Sequence, residues 1–229
     1  MGSDLTVFLE FYGLPGSGKS EVSHLVAEYL RQMGKTVSEP SYEADHVFEK
    51  GKRKLWKLCG LFRLIVFHPL LYWNLVRQIA EAGCKGRDFS QLAVNIGYKL
   101  WAYEHPRTEY VLFDEGLIQS AVSMTVYGER DMRKMRVLIE PINNKRVTMF
   151  FICAEPQTVL QRLRGRDKHD SRVEKLESDS SRLELLNRFQ KQCEIIDYES
   201  MFKINTEDYS AEDAARKVIK ELTEAECQL

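Results

Sequence analysis

What this chain lacks narrows it first. Its five cysteines (Cys59, Cys84, Cys153, Cys193 and Cys227) are odd in number, and no two have CxxC spacing. That pattern argues against a disulfide framework or a zinc site and predicts a reducing, cytoplasmic compartment. An excess of one charge is also missing. Lys and Arg number 33 against 34 Asp and Glu, a formal net charge of −1. No basic field covers the whole domain, so nucleic acid is not an expected partner. The most apolar stretch, Cys59 to Trp73, is broken by Arg63, His68 and Pro69. It falls short of the roughly 20 residues a spanning helix needs. The N-terminus runs straight into a strand pattern, which predicts no signal peptide. No internal repeat or low-complexity tract stands out. A chain of 229 residues suits one α/β domain, residues 1–229, with a sizeable core.

What is present centres on Gly13-Leu14-Pro15-Gly16-Ser17-Gly18-Lys19-Ser20, a GxxxxGK[ST] phosphate-binding loop. Gly13, Gly16 and Gly18 let the backbone turn tightly and bring N–H groups against phosphate oxygens. Lys19 is expected at the β- and γ-phosphates of ATP, and the Ser20 hydroxyl at Mg²⁺. Pro15 and Ser17 complete the cradle. The flanks fit. Leu5–Tyr12 reads as a buried strand, and Val22, Leu25, Val26, Tyr29, Leu30 and Met33 repeat with helical spacing up to Gly34.

The rest of the chain alternates strand and helix patterns. Strands are predicted at Thr36–Glu39, Tyr110–Asp114, Val147–Cys153 (apolar throughout, hence central) and Phe202–Asn205. The fold class is therefore three-layer α/β, a mostly parallel five-stranded sheet with helices on both faces. Residues 46–105 form a helical region interrupted near Gly83, Gly86 and Asp88. A basic stretch, Lys50-Gly51-Lys52-Arg53-Lys54, precedes the apolar one. Such a pairing marks either an interfacial helix near anionic lipid or a buried helix pair over the substrate pocket. Length and the internal Arg and Pro favour the buried pair. The aromatics of this region (Trp56, Phe62, Phe67, Tyr72, Trp73, Tyr98, Trp101, Tyr103) read mainly as core, with stacking on a base or sugar as the second reading. His68 and His105 each precede a proline and read as helix ends.

Three further groups carry chemistry. Tyr110–Phe113 is an apolar strand ending in Asp114 and Glu115. A carboxylate at the carboxyl edge of a parallel sheet lies beside the phosphate loop and suits Mg²⁺, with Glu115 assisting or facing the acceptor. After the central strand come Arg162, Arg164 and Arg166 around Gly165, a basic lid over 160–172 that would close on the transferring phosphoryl group. Glu39, before Pro40, could accept or orient the proton of an acceptor hydroxyl, with Glu43 and Asp45 as competitors.

In this order, GLPGSGKS, EP, VLFDEG, VTMFFICAEPQTVLQRLRGRD and KINTEDYSAEDAARKVIKEL, the chain resembles the nucleoside and nucleotide kinase superfamily, the thymidylate kinase-like and deoxynucleoside kinase-like proteins above all. The resemblance implies an ATP- and Mg²⁺-dependent phosphotransferase, Glu39 as base, Arg162, Arg164 and Arg166 as lid arginines, Asn205 near the donor adenine, and a homodimer. The chain departs from that pattern where Asp114-Glu115 replaces an acidic residue followed by Arg, and where Ser38 precedes Glu39-Pro40. Two other readings stand beside a nucleoside or nucleoside monophosphate kinase. One gives the same donor site a sugar, lipid-linked glycan or antibiotic hydroxyl as acceptor. The other is a nucleotide-binding regulatory switch, although Asn143-Asn144-Lys145-Arg146-Val147 lacks the Asp of a guanine-reading signature.

Overall fold

The structure, a computed structural model, describes residues 6–44, 50–81, 83–84, 86–128, 142–165, 171–196 and 201–226. Asp45, Arg166 and Cys227 lie outside the described residues. In chain order the elements are β1 (Val7–Gly13), α1 (Lys19–Gln32), β2 (Val37–Ser38), a short turn of helix α2 (Pro40–Tyr42), α3 (Lys50–Phe67), α4 (Pro69–Glu81) and α5 (Gly86–Glu104). They continue with β3 (Tyr110–Phe113), α6 (Leu117–Gly128), β4 (Val147–Cys153), α7 (Pro156–Arg164), α8 (Asp179–Glu194), β5 (Met201–Asn205) and α9 (Ala211–Glu226).

The five strands form one sheet in the order β2-β3-β1-β4-β5. All four pairings are parallel, with Leu9 opposite Leu112 on one side and Thr148 on the other. β4 is internal, as its apolar character predicts. The chain leaves β1 for the β2 edge, returns to β3, then crosses to β4 and β5. The direction of winding reverses at β1, and that reversal opens a crevice at the carboxyl ends of the strands.

Strand alternation sorts the core into two layers. Phe8, Tyr12, Val111, Phe113, Met149 and Phe151 face α5, α6 and α8. Leu9, Phe11, Leu112, Phe150, Ile152 and Ile204 face Val22, Val26 and Leu30 of α1 and Ala214, Val218 and Leu222 of α9. α1 stops as its sequence dictates. Gly34 takes φ 78, its N–H bonds the Arg31 carbonyl, and the Lys35 N–H reaches back to Leu30, the pairing of a Schellman cap.

The helical region departs from expectation. α3 packs on α5 through two glycines. A Cβ at Gly60 would lie 2.8 Å from Tyr98 Cβ, and one at Gly97 would lie 2.5 Å from Leu61 Cδ1. The other face of α3 and α4 is open to water. Phe62, Phe67 and Trp73 are about two-thirds exposed at 66%, 65% and 65%, so these three aromatics are not core. Tyr98 and Tyr103 are core, and Trp56, Tyr72 and Trp101 are half-buried. The expected buried helix pair is thus buried on one side only. α6 is an element the sequence reading did not assign.

Candidate active site

β1 ends in Gly13, and the chain turns through Leu14 to Gly18 before α1 begins. Three positive φ angles make the turn: 149 at Gly13, 92 at Gly16 and 95 at Gly18. The first two glycines answer to neighbours as well as to the turn. A Cβ at Gly13 would sit 2.1 Å from the Ile152 carbonyl oxygen, and one at Gly16 would sit 2.9 Å from Leu163 Cδ2. Gly18 is the N-cap of α1, and no side chain among the described residues caps that end. First-turn amides without a cap, at the positive end of a helix, suit an anion. Lys19 is buried, and its Nζ donates to the carbonyls of Leu14 (2.8 Å) and Gly13 (3.2 Å).

The loop opens on a cleft of about 850 Å³. Pro15, Gly16, Gly18, Lys19, Ser20 and Glu115 line it, together with His24, Tyr42, Ser171 and Ser210–Glu212. Asp114 and Ser17 are buried close by, and among the described residues neither Asp114 Oδ1 nor Ser17 Oγ has a hydrogen-bond partner. A buried polar atom left unpaired is costly, so each marks a place where an exogenous group has something to satisfy. Among the described residues no group of three or more His, Cys, Asp or Glu converges as a metal cage. Magnesium needs none here, since one carboxylate, one hydroxyl and substrate phosphates suffice. The residues present therefore fit a magnesium nucleotide.

Glu39 is 2% exposed at the carboxyl end of β2. Arg31 Nη2 donates to its carboxylate at 2.8 Å, and His24 Nδ1 lies 3.1 Å from Oε1. Glu39 thus meets the cleft through His24, whose ring lines it and stacks on Tyr42 at 4.1 Å. The Tyr42 hydroxyl is pushed up, first by desolvation and then by the carboxylates of Glu39, Glu28 and Asp114, and stays a proton donor.

The two described lid arginines are already engaged. Arg162 donates in bidentate fashion to Thr206, at 2.9 Å to Oγ1 and 2.8 Å to the carbonyl. Thr206 Oγ1 in turn bonds the Ser17 carbonyl at 3.0 Å, which ties α7 and the end of β5 to the phosphate loop. Arg164 pairs with Asp179 at the start of α8. Neither arginine is among the residues lining the cleft. Asn205 folds onto its own loop, accepting from Glu207 N–H and donating to Asp208 at 2.8 Å.

His24 and Tyr42 of the cleft escaped the sequence reading, and so did the roles of four supporting residues. Gln119 of α6 accepts the Gly13 N–H at 2.9 Å. Glu10 points inward from the middle of β1 and accepts from the first-turn amides of α6, Leu117 at 2.7 Å and Ile118 at 2.9 Å, and from Tyr103 Oη at 2.5 Å. Burial pushes the Glu10 carboxyl up, outweighing these donors. Lys99 is buried beside it, donates to Gly116 O and Ser120 Oγ, and is pushed down by desolvation. Thr206 is the fourth. Glu10 did leave a signal: it is a lone polar residue inside the apolar run of β1.

No protein-family model matches the sequence, and no curated protein matches it. The chain is similar in structure to the deoxyadenosine kinase of M. mycoides with dCMP as product and a flexible dCDP bound, at TM-score 0.52 and 15% identity, over 95% of this chain and 99% of that one. The same enzyme with bound dCTP gives TM-score 0.50 and 14% identity over 95% and 99% of the two chains. The chain shares the α/β fold of this kinase over 95% of its length.

Proposed function

We propose that this chain is a Mg·ATP-dependent phosphotransferase acting on a nucleoside or nucleoside monophosphate. One observation carries the reading: an uncapped helix start at left-handed Gly18, with the Lys19 ammonium folded against the loop's own carbonyls beside an open cleft. That arrangement is built for a polyphosphate. Lys19 would exchange its two carbonyl partners for phosphate oxygens, and the α1 amides would hold the negative charge in place. Ser20 and Asp114 would hold Mg²⁺, which supplies further neutralisation of phosphate charge when bound. On the acceptor side, His24 would take or orient the hydroxyl proton, with Glu39 stabilising the imidazolium it becomes. Arg162, through Thr206, would brace the phosphate loop rather than touch the transferring group.

The kinase likeness supports the nucleoside class only at the level of fold, so the test is an acceptor screen. ADP release is measured with nucleosides, nucleoside monophosphates and sugars, for the native chain and for Lys19→Ala. The expected result is release stimulated by a member of the nucleoside class and lowered about 10²–10³-fold in Lys19→Ala, with far-UV circular dichroism unchanged. A folded protein that binds ATP yet releases ADP no faster with any acceptor is a switch or an ATPase, and the proposal fails.

A further inference from the structure

We propose that the outer face of α3 and α4 is a docking surface for anionic lipid. It stands apart from the phosphotransfer reading and is carried by different residues.

At 3.6 residues per turn, Leu55, Leu58, Phe62, Ile65 and Val66 fall within about 100° of arc on α3. They are 64%, 49%, 66%, 37% and 51% exposed. Beyond the corner at His68, Leu70 and Trp73 lie three residues apart on one side of α4 and are exposed; Phe67, at the end of α3, is also exposed but lies on the side that meets Trp101. The five α3 side chains alone expose apolar surface on the order of 450 Å², the size of patch that on a monomer is often functional. The opposite face of α3 is pinned to α5 through Gly60 and Gly97, so the open face does not arise from loose packing.

Charge identifies the occupant. α3 contains no Asp or Glu between Lys50 and Phe67, and it carries Lys52, Arg53, Lys54, Lys57 and Arg63. On the helical wheel Lys52 and Arg63 border one edge of the apolar stripe and Lys54 the other. An apolar stripe edged by cations, with aromatic side chains within it, is the pattern of a helix lying in the interface of an anionic bilayer. A second copy of this chain would bring the same cations against one another across an apolar contact, which opposes pairing through this face. No single described helix is long and apolar enough to cross a membrane; α3 and α4 reach that length and composition only together, as a pair bent by 116°. Arg63 inside the apolar stretch and the cations along α3 favour a surface position over a span.

The experiment uses the full chain with sedimented vesicles of phosphatidylcholine alone and of phosphatidylcholine mixed with phosphatidylglycerol. Binding is expected to the mixed vesicles only, and it should weaken with salt. Phe62→Glu and Trp73→Glu should each reduce partitioning at least tenfold. Lys52→Gln and Lys54→Gln should each reduce it about fivefold. Unchanged melting temperatures and unchanged ATP-induced stabilisation show that these variants fold and that the nucleotide site is intact. No binding to the mixed vesicles overturns the proposal, as does binding indifferent to Phe62→Glu. Self-association abolished by Phe62→Glu in sedimentation equilibrium, without vesicle binding, assigns the face to a second copy and also overturns it.

Discussion

From Val7 to Leu14 every residue is buried, whereas Leu55, Phe62, Leu70 and Trp73 on the α3–α4 corner keep 64%, 66%, 79% and 65% of their surface in water. The two regions hold similar residue types and use them differently. In β1 and its loop, apolar side chains fill both faces of the sheet, and the backbone is fixed by neighbours on every side: Ile152, Leu163, Gln119 and Thr206. On the corner, apolar side chains have neighbours on one side only, and the cations Lys52, Lys54 and Arg63 border those of α3. The first region presents a preset cradle whose polar atoms are aimed at a small anion. The second presents area.

If that contrast is right, backbone freedom has the larger value in the loop. Gly13→Ala would place a Cβ 2.1 Å from the Ile152 carbonyl oxygen at φ 149, and the obstacle is backbone in the centre of the sheet. A loss of about 3 kcal/mol or more is expected, read as a fall in the urea midpoint with the slope unchanged. Native-like stability in this variant would mean that β1 and β4 are not held as closely as described.

A second effect separates the regions by pH. Glu10 is a carboxylate in the β1 core, and burial raises its carboxyl above the ordinary 4.5. The folded state then holds the proton to higher pH than the unfolded chain does. The resulting stability is fully present below pH 4.5 and is lost as pH rises through the raised value. Relative to Glu10→Gln, the native chain should lose advantage as pH increases from 4.5, measured by unfolding at a series of pH values. A gap that widens instead would show the α6 amides and Tyr103 favouring the ionised form over the cost of burial.

These two residues also show what the sequence made legible and what it left hidden. Gly13 belongs to a pattern whose chemistry is local: a strand, a glycine turn and a helix are adjacent in sequence, so the cradle can be read along the chain. The strands, their parallel pairing and the internal place of β4 follow from the same kind of local periodicity. Glu10 finds its partners 93 to 108 residues away, on α5 and α6. Nothing local announces them. Arg162 is the converse case: its position in a basic run suggests phosphate, and its bond to Thr206 comes from a strand end 44 residues further on. The α3–α4 corner lies between these extremes. Its basic and apolar pattern is plain in the sequence, but whether such a pattern faces water or protein depends on where α5 packs, which only the fold decides.

The smallest expected effect sharpens the comparison most directly, because it repeats one substitution in the other region. Gly51 lies in the first turn of α3, with no positive φ and, among the described residues, no atom within 4 Å of where a Cβ would be. Alanine there restricts the unfolded chain and fits the helix without contact. Gly51→Ala should therefore raise stability, by about 0.5–1 kcal/mol at most, while Gly13→Ala lowers it. Equal denaturant slopes for the two variants would place both changes in the folded state's stability rather than in its extent. Should Gly51→Ala instead destabilise, the start of α3 is packed against something, and the open face described here would be narrower than its side chains suggest. The sign of a methyl group's effect thus reports, in each region, whether the backbone is confined by neighbours or surrounded by solvent.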